Sequence, residues 1–141
     1  RPPRSTLFPY TTLFRSLETD CKEGMIWAFD RNLIGGVLDN IINNAFRYAL
    51  STVKIRAYTE NGYLVVQIVD DGKGYPPAML INENKQPRFK QEIDFKTGST
   101  GLGLYFAMMV AAMHINHDKE GFISIVNGGD LGGGVFSIYL P

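Results

Sequence analysis

An Asn-Gly pair in the middle of the chain joins two strand-like segments, and it constrains the fold more than any other feature. Residues 52–60 and 63–69 are runs of alternating or continuous apolar and β-branched side chains, a composition typical of strands. Asn61-Gly62 lies between them and is the strongest short hairpin signal, because both residues tolerate the positive φ of a two-residue turn. The sequence therefore predicts two antiparallel neighbours in a sheet.

The second of these strands ends abruptly in the sequence Asp70-Asp71-Gly72-Lys73-Gly74. A carboxylate at this point can accept a hydrogen bond from a ligand amino group, and the glycines let the backbone approach a flat ring. The same five residues also describe an ordinary turn, because Asp-Gly is a turn signal. The motif alone leaves a ligand site and a turn both open.

A helix is predicted upstream of the hairpin, with Asp30 as its cap. Apolar residues recur over residues 33–49 at the i, i+4, i+8 spacing of a buried helix face. The helix places four polar side chains within about two turns: Asn40, Asn44, Arg47 and Tyr48. Asparagine is only a middling helix former, so this cluster indicates either a common site or a solvated polar face.

Shorter strands are predicted towards both ends of the chain. Residues 17–21 and 25–29 flank a polar turn that contains a glycine, and they predict a hairpin or two short strands. Residues 121–127 and 135–140 are also strand-like and are separated by a glycine-rich segment. We therefore expect a second hairpin to close the chain.

Two further segments separate the hairpins. Residues 75–100 lose periodicity and contain Pro76, Pro77 and Pro87, and a loop of this length in a compact domain is usually functional, so we interpret it as a lid. A glycine-rich turn at 98–104 then opens onto a predicted apolar helix, 105–114, with Thr100 as its cap. Free amides and the positive dipole at such a helix start suit phosphate oxygens, although plain helix-to-loop packing would explain the glycines as well.

Length and composition favour one globular domain. The chain has 141 residues, of which 45% are hydrophobic and 20% charged, enough to bury a core. Its longest apolar run, 102–113, is shorter than the roughly 20 residues of a membrane span. The single cysteine, Cys21, predicts a reducing compartment and a buried, inert thiol, and His114 and His117 without a second cysteine give no metal-binding pattern.

Residues 1–16 have a different composition and resemble the in-frame translation of a common short-read sequencing adapter, whose codons encode every one of these residues in order. We therefore exclude this segment from the fold, which is assigned to residues 17–141. A basic arm or a targeting peptide is the alternative. Three of the 14 Lys and Arg residues lie in the segment, which leaves 11 against 14 acidic residues and a net charge of −3. A mildly acidic domain disfavours general nucleic-acid binding.

Each motif is weak alone, but their order resembles the catalytic ATP-binding domain of sensor histidine kinases over about residues 17–141. Leu38-Asp-Asn-Ile-Ile-Asn-Asn-Ala-Phe-Arg-Tyr48 is similar to the N box of that family. Val69-Asp-Asp-Gly-Lys-Gly74 is similar to its first glycine box, and Gly98-Ser-Thr-Gly-Leu-Gly-Leu104 to its second. The resemblance implies an α+β fold, a two-layer α/β sandwich of the Bergerat type in which a mixed, mostly antiparallel sheet packs on helices.

The resemblance also implies roles for these residues. Asp70 would accept from the adenine amino group, Asn44 would ligate Mg²⁺, and Asn40 and Arg47 would support and contact the phosphates. The remaining implied nucleotide-binding residues are Tyr48, Gly72, Gly74, Thr100, Gly101, Leu102, Gly103 and Leu104. The implied function is binding of Mg-ATP and transfer of the γ-phosphate to a histidine on a separate dimerisation domain, with a response regulator as indirect partner.

Position 40 distinguishes this family from its relatives. Type II topoisomerases, Hsp90 chaperones and mismatch-repair ATPases typically carry a Glu there as general base, whereas this chain has Asn40, which favours a histidine kinase over an ATP hydrolase. Asp39 is adjacent but points about 100° away on a helix. The alternatives are a non-catalytic ATP-binding regulatory module, or an ATP-hydrolysing or anti-sigma-kinase relative.

Two departures from the family pattern concern the lid and the connection after the last helix. Phe89 and Phe95 only loosely match the phenylalanine motif of the lid, and residues 114–121 are longer than the usual His-Gly-Gly. His114 and His117 are expected to be structural rather than phosphoacceptors. The expected location is the cytoplasm, with no membrane contact by this domain and a parent protein that a membrane segment could anchor.

Overall fold

In the computed structural model, which describes residues 15–82 and 100–141, two helices pack on one face of a five-stranded sheet. The elements are β1 (Ser16–Cys21), α1 (Arg31–Tyr48), β2 (Thr52–Glu60), β3 (Tyr63–Asp70), a 3₁₀ turn (Pro77–Met79), α2 (Thr100–Met113), β4 (Ile115–Asn116), β5 (Lys119–Glu120), β6 (Phe122–Asn127) and β7 (Gly134–Leu140). The strand order of the main sheet is β1-β2-β3-β7-β6. This arrangement confirms the two-layer α+β fold.

The central hairpin is confirmed. Glu60 pairs with Tyr63 across the turn, and Asn61 and Gly62 have φ of 50° and 81°, as a two-residue turn with two positive φ values requires. On its other side β3 pairs antiparallel with β7, so it is the middle strand of the sheet. This position explains why Val65 and Val66, which point to opposite faces, are both buried.

Of the two short strands predicted near the N-terminus, the first is confirmed as β1, but the second and the hairpin are wrong. β1 pairs with β2 in parallel, and residues 25–29 form no strand. Instead, Trp27 packs against the core and its indole N–H donates to the Leu140 carbonyl at 3.0 Å. The connection between the parallel strands β1 and β2 runs through α1, as parallel pairing requires a crossover. The expected buried thiol is also wrong, because Cys21 is exposed on the edge strand β1.

The α1 helix begins as predicted. The Asp30 carboxylate accepts hydrogen bonds from the backbone N–H groups of Asn32 and Leu33 at 3.0 and 2.9 Å, which satisfies two otherwise unpaired donors. Four residues of the helix are buried in the core: Ile34, Val37, Ile41 and Ala45. The predicted apolar face therefore does pack on the sheet.

His114 links the end of α2 to the start of α1. Its Nε2 accepts from the Asp30 N–H at 3.0 Å, and its Nδ1 lies 2.7 Å from the Val110 carbonyl oxygen. A carbonyl can only accept, so Nδ1 carries the proton and Nε2 is the acceptor. Both ring nitrogens are used within the fold, which confirms the expected structural role of His114.

The second helix begins earlier than predicted. α2 starts at Thr100 rather than at residue 105, so residues 100–104 of the glycine-rich motif lie within its first turns instead of preceding them. The physical reason is close packing: a Cβ at Gly103 would collide with the Asn40 side chain, so glycine here lets α2 approach α1. Among the described residues, no helix has both the length and the apolar character that a membrane span needs.

The C-terminal hairpin of β6 and β7 is confirmed. The connection from α2 to β6, longer than the family's usual one, forms a small hairpin of β4 and β5 that was not predicted. Part of the predicted lid, residues 75–82, packs on the domain: Ile81 is buried and bridges Ile125 of β6. The rest of that segment, with Phe89 and Phe95, lies outside the described residues.

Candidate functional site

A cavity of about 240 Å³ opens where α1 and β3 end. Its lining residues come from α1 and from the segment that follows β3: Asn44, Ala45, Tyr48, Asp70, Lys73, Gly74, Tyr75, Pro76 and Met79. Sites that enclose a whole drug-sized ligand measure roughly 300–1,000 Å³. This smaller cavity is therefore suited to one flat ring system, with any larger part of the ligand outside it.

Asp70 is the buried carboxylate of the cavity, with only 6% of its surface exposed. Its Oδ1 accepts from the backbone N–H groups of Gly72 at 2.8 Å and Gly134 at 3.2 Å. Within the described parts of the chain, both hydrogen bonds to this carboxylate end on Oδ1. Oδ2 therefore remains as an acceptor for a donor group on a ligand.

Three glycines allow the backbone to close around Asp70. A Cβ at Gly133 would collide with the Asp70 carbonyl and carboxylate oxygens, and one at Gly72 would collide with the Tyr48 carbonyl oxygen. At Gly134 a Cβ would lie 2.7 Å from the Tyr75 ring and 2.9 Å from Asp70 Oδ2. Any larger residue at these positions would displace the groups that hold the carboxylate.

Asn127 positions one wall of the cavity, and sequence reasoning missed it. Its side-chain amide accepts from the Tyr75 N–H at 2.7 Å and donates to the Tyr75 carbonyl at 2.8 Å. Gly74, with φ of 84°, leaves room for this amide. Burial, and after it the charge of Asp70, raises the pKa of Tyr75 well above its ordinary value, so this wall stays neutral. An asparagine just before two glycines was the available signal.

Of the four polar residues predicted to share a site on α1, two line the cavity and two do not. Asn44 lines the cavity, and its Nδ2 donates to Asn40 Oδ1 at 3.3 Å. Asn40 faces Gly103 of α2 rather than the cavity. Tyr48 lines the cavity with the Lys73 ammonium 5.9 Å from its ring centre, whereas Arg47 is exposed and does not line it.

The predicted residues of the second glycine box lie at the start of α2, beside this cluster. Gly103 meets Asn40, as described above. Leu104 is 4% exposed and belongs to the hydrophobic core, whereas Leu102 is 67% exposed. Thr100 and Gly101 are the first two residues of the helix, and the side-chain surroundings of Thr100 lie outside what the structure describes. The structure thus brings the two predicted motifs together through Asn40 and Gly103.

Asp71 holds the linker between α1 and β2, a role that sequence reasoning did not assign. Its carboxylate accepts from the backbone N–H groups of Leu50, Ser51 and Thr52 and from the Ser51 hydroxyl. Burial acts to raise the pKa of Asp71, but these hydrogen bonds lower it to about 2. The Asp70-Asp71 pair therefore has two functions: one carboxylate faces the cavity, and the other ties down the end of α1.

Comparisons with known proteins identify the family of the chain. A family profile described as "Histidine kinase-, DNA gyrase B-, and HSP90-like ATPase" matches residues 29–141. The chain is 33% identical to the sensor protein RstB of Escherichia coli over 84% of its own length, and 32% identical to the sensor histidine kinase YkoH of Bacillus subtilis over 70%. It spans 26% and 22% of the lengths of these two proteins.

The fold is also found among solved structures. The ATP binding domain of PrrB from Mycobacterium tuberculosis matches with a TM-score of 0.62 at 22% identity, over 98% of this chain and 88% of that one. The histidine kinase AdeS of Acinetobacter baumannii matches with a TM-score of 0.64 at 23% identity, over 96% of this chain and 59% of that one. Both show the same two-layer architecture.

We predict that Asp71→Asn lowers the free energy of unfolding by about 1 kcal/mol at pH 6, less than the pKa shift alone implies because the carboxylate faces solvent. The folded-state pKa lies below the usual 3.8, so the stabilisation is complete above that value and is lost as the pH falls towards 2. Urea denaturation across this range should show the gap between wild type and variant closing at low pH. Asp39→Asn, an exposed carboxylate on α1, is the control. A difference in unfolding free energy between wild type and Asp71→Asn that stays constant down to pH 2 would contradict the stabilising role of the ionised Asp71 carboxylate.

Proposed function

The chain belongs to the family of histidine kinase-, DNA gyrase B- and HSP90-like ATPases, and from this premise we propose that residues 17–141 bind Mg-ATP and donate the γ-phosphate to a histidine on another domain. ATP binding follows from membership of the ATPase family. The transfer to histidine is supported by the relatives that are named sensor histidine kinases. The observation that carries the proposal is the buried Asp70 carboxylate, which keeps one oxygen for a ligand donor.

The cavity suits the adenine base. Ala45, Pro76 and Met79 supply apolar walls for a flat ring, and Asp70 Oδ2 supplies an acceptor for its exocyclic amino group. A purine that carries an oxygen at this position would place two acceptors against each other. Asp70 therefore both binds the base and selects for adenine.

The triphosphate would extend from the cavity towards the start of α2. The domain is mildly acidic once residues 1–16 are set aside, so the phosphate charges need local compensation. Arg47 at the end of α1 and the free amides of the first turn of α2 can supply it. Asn40, which lies between the cavity residue Asn44 and Gly103, is positioned to support the same group.

Asn44 is suited to hold Mg²⁺. Its amide nitrogen is used by Asn40, so the carbonyl Oδ1 is left for a ligand, and a neutral oxygen is the kind of donor that Mg²⁺ accepts beside its waters and substrate phosphates. When bound, the ion neutralises charge on the phosphates. Asn44 then serves to orient the nucleotide, and Arg47 to stabilise charge on the leaving group.

The residue types favour transfer to another protein group over hydrolysis. Asn40 occupies the position where ATP-hydrolysing relatives are expected to carry a glutamate, and an amide cannot take a proton from water at neutral pH. Asp39 is exposed on the opposite part of the α1 surface from buried Ile41 and does not line the cavity. Phosphoryl transfer that depends on positioning and charge stabilisation needs no such base for water.

We assign docking of the phosphoacceptor domain to the outer surface of α2. This helix has no charged residue, yet one stripe of it is exposed at helical spacing: Leu102, Phe106, Met109 and Met113. An uncharged apolar ridge of this kind packs well against another helix. The stripe begins beside Asn40 and Gly103, at the phosphate end of the site, which is where a histidine on a helical partner must arrive.

The proposal also covers the location of the domain and its N-terminal boundary. We place the domain in the cytoplasm, where ATP is available. We also propose that residues 1–16 derive from a sequencing adapter, supported by their residue-by-residue match to the translated adapter. DNA that encodes this segment in a read free of adapters would overturn that part.

We predict that Asp70→Asn raises the Kd for ATP roughly 10- to 100-fold, because a hydrogen bond to a charged acceptor is lost. Asn44→Ala should weaken ATP binding more in the presence of Mg²⁺ than in its absence, because it removes a metal ligand. Isothermal calorimetry with and without Mg²⁺ measures both. Asp39→Asn is the matched control and should bind as wild type does. Equal affinity for wild type and both site variants would count against the site.

We further predict that the chain phosphorylates a helical dimerisation domain that carries a histidine, supplied in trans, and that the product is acid-labile and base-stable. Met109→Lys should reduce this transfer about tenfold or more without changing the Kd for ATP, because it places a charge in an apolar interface. Leu50→Lys, at an apolar residue that is also exposed but lies outside α2, should leave transfer unchanged. ATP binding without transfer would favour the regulatory module, and release of free phosphate would favour an ATP hydrolase.

A further inference from the structure

The loop between β6 and β7 crosses the sheet face that lies opposite the helices. Its tip residue Asp130 contacts the guanidinium of Arg56 and lies 4.0 Å from the Lys54 ammonium. Both cations belong to β2, which is separated from β7 by the whole width of β3. The loop therefore spans β3 near Val69, which pairs with Lys54 on one side and Val135 on the other and is only 1% exposed.

The base of the same loop holds Asp70. The Gly133 N–H donates to the Asp70 carbonyl at 3.1 Å, and the Gly134 N–H donates to Asp70 Oδ1 at 3.2 Å. Gly128 N–H closes the loop by donating to the Gly133 carbonyl at 2.8 Å. One short loop thus joins a charged pair on the outer face of the sheet to the carboxylate of the cavity.

This loop needs an anchor, because five of the seven residues from 128 to 134 are glycine. Three of them have positive φ, at 104°, 71° and 82°, and glycine loses more conformational entropy on ordering than any other residue. Arg56 supplies a fixed point: it lies in the middle of β2, and its Nε is also 3.7 Å from Asp20 of β1. Desolvation acts to raise the pKa of Asp130, but a backbone hydrogen bond and, after it, the contacts to Arg56 and Lys54 lower it.

We propose that Arg56 is a positioning residue that acts through Asp130. By holding the tip of the loop on β2, it fixes Gly133 and Gly134 against Asp70 and sharpens the selection of adenine. The proposal rests on the proposed function, in which Asp70 reads the amino group of the base. It assigns a role in nucleotide selectivity to two residues that do not line the cavity.

The competing explanation is an ordinary surface ion pair, which contributes little to any property of the domain. A general loss of stability would weaken binding of every nucleotide alike. Loss of positioning would instead change the ratio of affinities for ATP and inosine triphosphate, which differ at the group that Asp70 contacts and carry the same triphosphate. This ratio therefore separates the two explanations.

The experiment measures the Kd of both nucleotides for wild type, Arg56→Gln, Asp130→Asn and the double variant, together with hydrogen exchange at the Gly133 and Gly134 amides without nucleotide. We expect each single variant to lower the preference for ATP about two- to fivefold, the range expected for an exposed charged pair. The double variant should be no worse than either single variant. Glu18→Gln, on β1 and without contact to the loop, should behave as wild type.

An unchanged ATP preference in both single variants, or effects that multiply in the double variant, would overturn the proposal. If the wild type binds neither nucleotide, the proposed function fails. In that case the hydrogen-exchange measurement still tests whether Asp130 holds the loop in place. Faster exchange of the Gly134 amide in Asp130→Asn but not in Glu18→Gln would support this role of Asp130. Equal exchange rates in the two variants would refute it.

Discussion

The buried carboxylate of Asp70 is the interaction on which the rest of this site depends. A carboxylate with 6% exposure loses most of its hydration, and this loss is tolerated only where hydrogen bonds replace the water. Backbone N–H groups of Gly72 and Gly134 replace part of it, and they can come close enough only because Gly72, Gly133 and Gly134 lack side chains. The oxygen that remains unpaired is the one available to a donor group on a ligand.

The second constraint is the contact between the two helices. Gly103 lets α2 approach Asn40, and the hydrogen bond from Asn44 to Asn40 orients the amide that faces the cavity. At the other end of the pair, His114 joins the last turn of α2 to the cap of α1. The cavity and the start of α2 are consequently connected through one helix pair, while the apolar stripe of α2 remains exposed.

Local patterns predicted the fold wherever the structure depends on local interactions. The hairpin at Asn61 and Gly62 and the cap at Asp30 were correct, because each depends on residues a few positions apart. The N-terminal hairpin was wrong because β1 pairs with a strand some 35 positions later and Trp27 instead donates to Leu140 at the far end of the chain. The start of α2 was placed too late because glycines that serve helix packing look the same in a sequence as glycines that serve a turn.

For the site, the sequence by itself determined the chemical groups: a carboxylate at a strand end, two asparagines one helical turn apart, and glycines wherever the backbone must come close. Only the tertiary structure decided which of them act together. It separated Asp70, which faces the cavity, from Asp71, which ties down a linker, and it brought in Asn127, Gly133 and Asp130 from a hairpin more than 50 residues away. The physical reason is that residue type sets what a group can bind, whereas burial and the direction of its hydrogen bonds are set by strands and helices that meet only in the folded chain.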